Sequence, residues 1–585
     1  MLLACSDGDY VEDRRGLSTV DCLEFLLDLG TRDARVCGYY LSYDWTMILR
    51  DLDNMALYTL FRPELRSRPN GAFSRVEYKH YQIHWLAGAV WLRDDRGRKV
   101  TIWDLGKYYQ GPFVDALKDW KIRPDVQDEI ARMKRRRSRF TYKEISSIRK
   151  YCMHECEALA EFAAAVDQAH TDADLKPRGW FGPGSTASAL LKRHDIQEKR
   201  GVLSPSMIEP VACAFFGGRA EISRTGRVEG PISGYDISSA YPYHASRLPC
   251  LEHGRWELVA RERALTGARV AGALVHGHIR PLTRPRPRQA AWGPLPVRLA
   301  NGSIVFPRSG ASGWWWRDEW LAAREGWNGL EFDRAYILKR ECDCKPFAFL
   351  PELFAHRRKI GKETGEGKVL KLALNSCYGK LAQTIGGAQY ASRVWAGMIT
   401  SGTRAQVLDL MLRHKRLDSV LMIATDGLFS TEQLDVDPEI VLGGWERAEY
   451  ESITLIRPGI YWLGASKLRA RGLGRDNLNV KAQRQLAAAL ASGAEAVELG
   501  RRVRFGGAKL QIAPVGKTGA VDRGGNYGQW YSIPTHVSLA PAPKRDAEWM
   551  PPLLSDVESM AYGTRSTVAP GVLHDILKLL REFME

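Results

Sequence analysis

Two aspartates in the second half of the chain each follow a run of apolar residues. Asp236 lies in PISGYDISSAYPYHA at 231–245, and Asp426 lies in SVLMIATDGLFS at 419–430. A carboxylate at the end of a buried strand is costly unless it binds a cation or hydrogen-bond donors. Together the two could hold Mg²⁺ for phosphoryl transfer. Taken singly, Asp236 could equally cap a helix, and Asp426 could occupy an ordinary hairpin turn.

Cationic and small polar residues lie between the two aspartates, in RRKIGKETGEGKVLKLALNSCYGK at 357–380. Arg358 and Lys362 are four residues apart, as are Lys371 and Asn375. On a helix each pair would share one face, and a row of cations is suited to a triphosphate. An exposed basic helix with a glycine stop would explain the lysines. It would not explain why Asn, Ser, Tyr and Gly follow in this order.

These groups need particular elements to position them. The apolar run at 420–424, followed by Thr-Asp-Gly, predicts a β-turn-β hairpin with Asp426 at the turn. Such a hairpin could face Asp236 on a neighbouring strand, while the cationic residues require helices. At 585 residues the chain should form two to four domains.

The composition favours a polyanionic partner without proving one. There are 84 basic and 68 acidic residues, for a net charge of +16. This excess suits nucleic acid, but a merely basic soluble protein would show it too. The basic run at 134–139 could touch phosphate or form a solvated face. Long apolar runs and a signal-peptide pattern are absent, so we expect no membrane association.

The ten cysteines are scattered along the chain, which is typical of free thiols in a reducing compartment. The closest groups are Cys152 with Cys156 and Cys342 with Cys344. Neither is followed by a second pair at zinc-ligand spacing, so the sequence does not predict a zinc site.

The three segments, in this order, resemble the family B DNA polymerases. Residues 236–242 match DxxSLYP with Ala in place of Leu, and residues 371–379 match KxxxNSxYG at every specified position. The segment around Asp426 is similar to YxDTDS, with Ala424 in place of the first Asp. Upstream, FFGGR at 215–219 resembles the YxGG motif.

The resemblance implies a DNA-templated DNA polymerase that adds dNTPs to a primer 3′-hydroxyl. It assigns catalysis and metal binding to Asp236 and Asp426, with the Ile237 carbonyl as a further metal ligand; nucleotide binding to Tyr241, Arg358, Lys362, Lys371 and Asn375; and DNA binding to Gly217, Gly218, Tyr378, Gly379 and Tyr461. The implied cofactor is a pair of Mg²⁺ ions, for which Mn²⁺ could substitute. The implied partners are primer–template DNA and dNTPs.

An insertion between the first and second motifs is similar to that of the protein-primed branch from phages and linear plasmids. There it binds a terminal protein, which is therefore a further expected partner, and the expected location is the cytoplasm of a bacterial host. The insertion carries Trp314, Trp315 and Trp316. Buried packing is favoured for these rings over stacking on nucleic acid.

Residues 1–165 resemble the 3′–5′ exonuclease domain of the family, less completely. Tyr43-Asp44 resembles its second motif, and Tyr151-x-x-x-Glu155 resembles YxxxD with Glu in place of Asp. The first motif, DxE, is missing, which implies either a truncated beginning or a lost activity. We therefore expect exonuclease activity that is weak or absent.

The expected fold is a multidomain α+β right hand of palm, fingers and thumb, with a truncated RNase H-like exonuclease-type domain. The expected boundaries are 1–170 for the exonuclease-like domain, 171–230 for a connector, 231–470 for palm and fingers with an insertion around 245–345, and 471–585 for the thumb and C-terminal region. A non-catalytic DNA-binding homologue is the main alternative. A reverse transcriptase and a plain Mg²⁺ nuclease are weaker ones.

Overall fold

The computed structural model of the chain describes residues 2–61, 75–86, 88–137, 140–280, 292–384, 388–413, 417–464, 467–470, 480–492, 494–504, 530–539 and 565–566. The predicted C-terminal region at 471–585 therefore lies mostly outside the described residues, as do Ser138 and Arg139 of the basic run.

The N-terminal unit has a mixed sheet covered by helices. Its strands and helices are β1 (Leu2–Ala4), β2 (Tyr10–Glu12), α1 (Thr19–Leu29), β3 (Val36–Gly38), α2 (Ser42–Ile48), α3 (Asn54–Phe61), β4 (Val76–Tyr78), β5 (Tyr81–Leu86), β6 (Ala89–Asp94), β7 (Lys99–Asp104), α4 (Gly106–Tyr109), α5 (Phe113–Trp120), α6 (Gln127–Arg136) and α7 (Ile145–Asp172). The sheet order is β3-β7-β6-β5-β4, with β3 parallel to β7 and the other pairs antiparallel.

Local sequence explains these elements. In β5 the alternate side chains Tyr81 and Ile83 point inward and are buried, as expected for a strand with one buried face. Helix α1 starts with a capping box, in which Ser18 and Asp21 each accept a backbone N–H of the other. The 28-residue helix α7 contributes Tyr151 and Phe162 to the core beside the sheet.

A connector and the first long strand follow. They contain α8 (Pro183–Arg193), α9 (Pro205–Cys213), β8 (Arg219–Ile222), β9 (Arg224–Ile237) and α10 (Ala240–Ser246). Both helices begin with proline, which lacks the N–H that a first turn leaves unpaired.

An insert then forms its own four-stranded antiparallel sheet. Its elements are β10 (Gly254–Val259), β11 (Val270–Ile279), β12 (Val297–Arg298), β13 (Ile304–Val305), β14 (Ala311–Trp316), α11 (Arg317–Gly326) and β15 (Leu330–Arg340). The sheet order is β10-β15-β11-β14. Trp315 and Trp316 are fully buried, so packing is confirmed for these two rings, whereas Trp314 is half-buried and stacks on Tyr336.

Three helices and a set of strands complete the central unit. They are α12 (Phe349–Ile360), α13 (Gly365–Leu381), α14 (Arg393–Arg413), β16 (Val420–Thr425), β17 (Gly427–Ser430), β18 (Trp445–Arg457), β19 (Ile460–Leu463) and β20 (Lys467–Ala470). The central sheet is antiparallel, in the order β20-β19-β18-β9-β17-β16-β8.

Beyond the central sheet the described elements are α15 (Val480–Ala491), β21 (Ala496–Arg504), β22 (Trp530–Ser538) and β23 (Arg565–Ser566). Strand β23 returns to pair with the start of β9. Short 3₁₀ helices lie at Tyr142–Glu144, Glu198–Arg200, Glu262–Thr266 and Leu417–Ser419.

A buried ion pair joins the insert to α14 behind the central sheet. Arg404 Nε on α14 donates to Glu319 Oε2 on α11 at 2.8 Å, and Arg404 Nη2 lies 2.7 Å from the same oxygen; both side chains are almost fully buried. Arg404 Nη1 also donates to the carbonyls of Phe216 and Gly217 at 3.0 and 2.6 Å. One arginine therefore fixes the insert and the glycine turn before β8 to the same helix.

Arg404→Met should lower the free energy of unfolding by about 3 kcal/mol or more, because it leaves Glu319 buried without a counter-charge. Urea unfolding followed by tryptophan fluorescence measures the change. The control is Arg413→Met on the same helix, whose pair with Asp409 is exposed, and which should change stability by less than about 1 kcal/mol. Equal losses in the two variants would contradict the role assigned to the pair.

Candidate active site

Two predicted aspartates meet at the end of the central sheet. The hairpin predicted at 420–430 is confirmed, since β16 and β17 pair antiparallel with Asp426 in the turn between them. Gly427 of that hairpin lies directly opposite Asp236 of β9. The Ile237 N–H donates to the Asp426 carbonyl at 2.9 Å, which fixes the two aspartates as near neighbours.

A third carboxylate joins them from the other side of β9. Glu446 of β18 pairs directly with Asp236, so the two side chains share a face of the sheet. Sequence reasoning missed Glu446. Alternation along WERAEYE places Glu446 on one face of a strand, but only the strand register places it beside Asp236.

The pKa of Asp236 rises to about 7 even though its side chain is exposed to the cleft. Partial desolvation is the main cause, and the Asp426 and Glu446 carboxylates add to it, while Arg469 of β20 opposes it. Clustered carboxylates that resist ionisation in this way suit a divalent cation, which would relieve their repulsion.

The turn that carries Asp426 leaves little room for other side chains. A Cβ on Gly427 would lie 2.5 Å from the Tyr235 carbonyl oxygen and 2.9 Å from Asp236 Oδ1. A Cβ on Gly218 would lie 2.4 Å from the Thr425 methyl group. The glycine turn at 217–218 is thus packed against the Asp426 hairpin, and Gly217 itself is open to solvent.

Helix α13 carries two of the predicted nucleotide-binding residues, Lys371 and Asn375. Thr364 caps the helix by accepting the Gly367 N–H. At 100° per residue, Lys371, Asn375 and Tyr378 lie within an arc of about 60°. The Tyr378 ring packs on Tyr241 of α10, with centroids 4.6 Å apart.

That contact orients the helix. Because α10 begins just after Asp236, the face of α13 that carries Tyr378 looks toward the carboxylates. Lys371, Asn375 and Gly379 are exposed on this face. Lys371 and Asn375 therefore lie on the side of α13 that contacts α10 through Tyr378.

The prediction that Arg358 and Lys362 share one helix face is wrong. Helix α12 ends at Ile360, and Gly361 adopts φ +93°, so Lys362 lies in the loop before α13. A glycine with positive φ ends a helix at little steric cost, so Gly361 overrides the four-residue spacing. Arg358 remains on α12, where it donates to the Ile440 carbonyl.

Tyr461 lies on β19 in the same sheet as the carboxylates. Its ring contacts Phe429 of β17 with centroids 5.8 Å apart. Phe429 is two residues beyond Gly427, so one aromatic contact links Tyr461 to the hairpin of Asp426.

A second cluster of charges lies in the N-terminal unit, between α2, α6 and α7. Burial raises the pKa of Asp44 to about 6, with Arg137 opposing and Glu155 adding to the shift. Glu155 is also buried, but Lys134 and Arg137 outweigh that burial and hold its pKa below the ordinary value. Lys134 lies 2.8 Å from one Glu155 oxygen, and Arg137 pairs with the other. Arg137 also donates to the Tyr151 hydroxyl at 2.7 Å.

Two residues of the basic run, Lys134 and Arg137, therefore point into this cluster and not into solvent. Lys134 and Arg137 balance the two acids of this cluster, so its formal charge is zero. The acids near the start of the chain are also paired, since Asp7 and Asp9 contact Arg32 and Glu12 contacts Arg149.

The family comparison agrees with the geometry. Residues 119–392 match the model of a family described as DNA polymerase type B, organellar and viral. This match covers just under half of the chain, so residues 119–392 are similar to that family. No curated protein matches the sequence.

Solved structures of Phi29 DNA polymerase share the fold. The complex with primer-template DNA is 14% identical with a TM-score of 0.56, covering 89% of this chain and 93% of that one. The ternary complex with primer-template DNA and incoming nucleotide substrates is 15% identical with a TM-score of 0.54, covering 91% and 94%. The predicted multidomain right-hand α+β fold is confirmed. In the described part of the chain, none of the helices combines the length and apolarity needed to cross a membrane.

Asp236→Asn should stabilise the protein in chelating buffer, and more so at pH 8.5 than at pH 4.5. A folded-state pKa near 7, above about 3.9 in the unfolded chain, means that stability falls as pH rises through that window. The asparagine variant escapes this loss, so its advantage in melting temperature should grow by about 1–2 °C. Asp95→Asn, in an exposed turn, is the control for losing one charge. An advantage independent of pH would rule out the titration.

Proposed function

We propose that this chain extends a primer 3′-hydroxyl on a DNA template by two-metal-ion phosphoryl transfer. The observation that carries the proposal is the convergence of three carboxylates at the strand that leads into α10, whose Tyr241 packs on the face of α13 that carries Lys371. Phosphoryl transfer requires little covalent chemistry from a protein. It requires positioning and compensation of negative charge, which carboxylate-held cations and lysines supply.

Asp236, Asp426 and the Ile237 carbonyl would hold the metal ions. Bound Mg²⁺, or Mn²⁺ in its place, supplies activation of the primer hydroxyl and charge stabilisation at the phosphate. The donor set fits, because carboxylate and carbonyl oxygens are the hard ligands that Mg²⁺ prefers, and a divalent cation would offset the repulsion from Asp426 and Glu446 that helps to raise the pKa of Asp236.

We propose that Glu446 substitutes for the aspartate that the third motif lacks. Ala424 removes the first aspartate of that motif, and it pairs with Ala220 rather than with an acid. Glu446 brings a replacement charge from β18 to the side of Asp236. In this proposal it orients or supplements the metal ligands.

Nucleotide binding is assigned to the wall opposite the carboxylates. Lys371 and Asn375 would meet the triphosphate from α13, with Arg358 and Lys362 at the end of α12 and in the following loop. Tyr241 would lie under the sugar and disfavour a 2′-hydroxyl, since Tyr378 fixes its ring from the other side. Tyr378, Gly379, Gly217, Gly218 and Tyr461 would line the DNA.

We further propose that the N-terminal unit is an exonuclease-like domain without activity. Two oxygens of Glu155 are already paired with Lys134 and Arg137, and Arg137 also occupies the Tyr151 hydroxyl. A metal pair would need at least one more carboxylate and the departure of these cations.

Replication of a phage or mobile element in a bacterial cytoplasm is the proposed setting. The structures named for Phi29 DNA polymerase align over nine-tenths of both chains, and the insert at 254–340 stands between the first two motifs. We propose a terminal protein as the primer that this insert receives. The alternative, a DNA-binding homologue without catalysis, is favoured by Ala424 and by the missing DxE motif.

Extension of a labelled primer on a DNA template with dNTPs and Mg²⁺ should proceed with wild type and fail with Asp426→Ala. Loss of a metal ligand removes several kcal/mol of transition-state stabilisation, so the rate should fall by about a thousandfold or more. Glu446→Gln should slow extension by about 10- to 100-fold, as expected for a supporting ligand. Binding of the primer–template, measured by fluorescence anisotropy, should persist in both variants.

Glu449→Gln is the matched control, because Glu449 lies on the same strand and pairs with Arg447 at the surface. It should extend the primer like wild type. A normal rate in Glu446→Gln would remove the role given to Glu446. Failure of wild type with DNA binding intact would favour the non-catalytic homologue, unless dNMP is transferred to a hydroxyl of an encoded partner protein.

A 5′-labelled primer incubated with Mg²⁺ and without dNTPs should stay intact. Wild type and Asp44→Ala should give the same background on a sequencing gel, because Glu155 is neutralised by its own neighbours. Degradation from the 3′ end that disappears in Asp44→Ala would show that the cluster is an active exonuclease.

A further inference from the structure

Two pairs of soft ligands lie at the two ends of the insert. Cys250 and His253 immediately precede β10, and Cys342 and Cys344 follow β15. Strands β10 and β15 are antiparallel partners with Gly254 opposite Arg340. The residue before β10 and the residues after β15 therefore emerge at the same end of the sheet.

The four ligand atoms form one compact group. All of them lie within 4.8 Å of one another. His253 Nδ1 is 3.5 Å from Cys250 Sγ and 3.8 Å from Cys344 Sγ. A zinc tetrahedron with Zn–S of about 2.3 Å and Zn–N of about 2.0 Å has ligand atoms about 3.5–3.8 Å apart.

The backbone around the group is built for close approach. A Cβ on Gly254 would lie 3.2 Å from the Cys250 carbonyl oxygen and 2.5 Å from Leu338 Cδ1. Glycine at this position lets the turn from Cys250 to His253 fold against β15. The Leu251 N–H donates to the Lys199 carbonyl at 3.2 Å, so the connector also holds this turn.

The chemistry of the donors selects the ion. Three thiols and an imidazole are a soft set that suits Zn²⁺ and not Mg²⁺. No disulfide joins these cysteines. The second ring nitrogen of His253 faces a Glu252 oxygen at 3.7 Å, the side on which zinc-bound histidines usually have a carboxylate. Four protein ligands complete a tetrahedron without an open position, which is typical of a structural site.

We propose that Cys250, His253, Cys342 and Cys344 bind one structural Zn²⁺ that joins the two chain ends of the insert to each other. This revises the sequence expectation of free thiols. The two ligand pairs are C-x-x-H and C-x-C, and the whole insert separates them. The proposal does not depend on the activity of the polymerase site.

The test is the zinc content of the full chain, expressed with zinc in the medium and purified without chelator. Wild type should carry about one zinc per chain by mass spectrometry of the metal. Cys344→Ser, which changes an exposed ligand, should lower that content at least about tenfold. Replacement by Co²⁺ should give thiolate charge-transfer and tetrahedral d–d bands in wild type, and these should be lost in Cys344→Ser.

Two variants control for other sites. Cys213→Ser removes an exposed cysteine outside the group, and His276→Ala disrupts a separate group of His276, His278 and Asp333. Both should keep the zinc. His253→Cys, which preserves four ligands, should also keep it, so the proposal stays testable if Cys344→Ser does not fold.

Three results would overturn the proposal. They are wild type without zinc or cobalt bands, zinc retained in Cys344→Ser, and a denatured thiol count below the ten cysteines of the sequence. The last would mean that two of these cysteines form a disulfide.

Discussion

Three carboxylates are held together by strand pairing against their mutual repulsion, and the architecture of the central unit follows from this constraint. Asp236 is flanked by Gly427 and Glu446 on the neighbouring strands, and its pKa of about 7 records the cost. Backbone contacts hold the carboxylates together despite this repulsion. They are the continuous antiparallel sheet, the tightly packed Gly427, and the hydrogen bond from the Ile237 N–H to the Asp426 carbonyl. A bound cation would offset the repulsion between the carboxylates and so stabilise the folded protein.

In the N-terminal unit, neighbouring cationic side chains offset the repulsion between two acids. There the acids Asp44 and Glu155 are buried beside Lys134 and Arg137, so the protein supplies its own counter-charges. A cluster that is neutral without an ion has no electrostatic reason to gather metals. The two halves therefore contain similar residue types, and the placement of the cations separates the metal site that we propose from an ion-pair network.

Specific contacts fix the position of the insert relative to the central unit. The buried Glu319–Arg404 pair anchors its helix to α14, and Arg404 also fixes the glycine turn that packs on the Asp426 hairpin. The four zinc ligands that we propose would join the two chain ends of the insert, where β10 begins and β15 ends. Closing a long loop reduces the entropy of the unfolded chain, so fastening both ends stabilises the orientation of the insert.

The sequence by itself determined the right-hand fold and the Asp426 hairpin, because these depend on motifs with fixed local spacing and on alternation along single strands. Local spacing also misled, since Arg358 and Lys362 are separated by a glycine that ends their helix. Glu446, the counter-charges of Glu155 and the group of Cys250, His253, Cys342 and Cys344 were decided only by the tertiary structure. Each depends on which strands or helices are neighbours, and residues far apart in the chain carry no local pattern that reports their pairing.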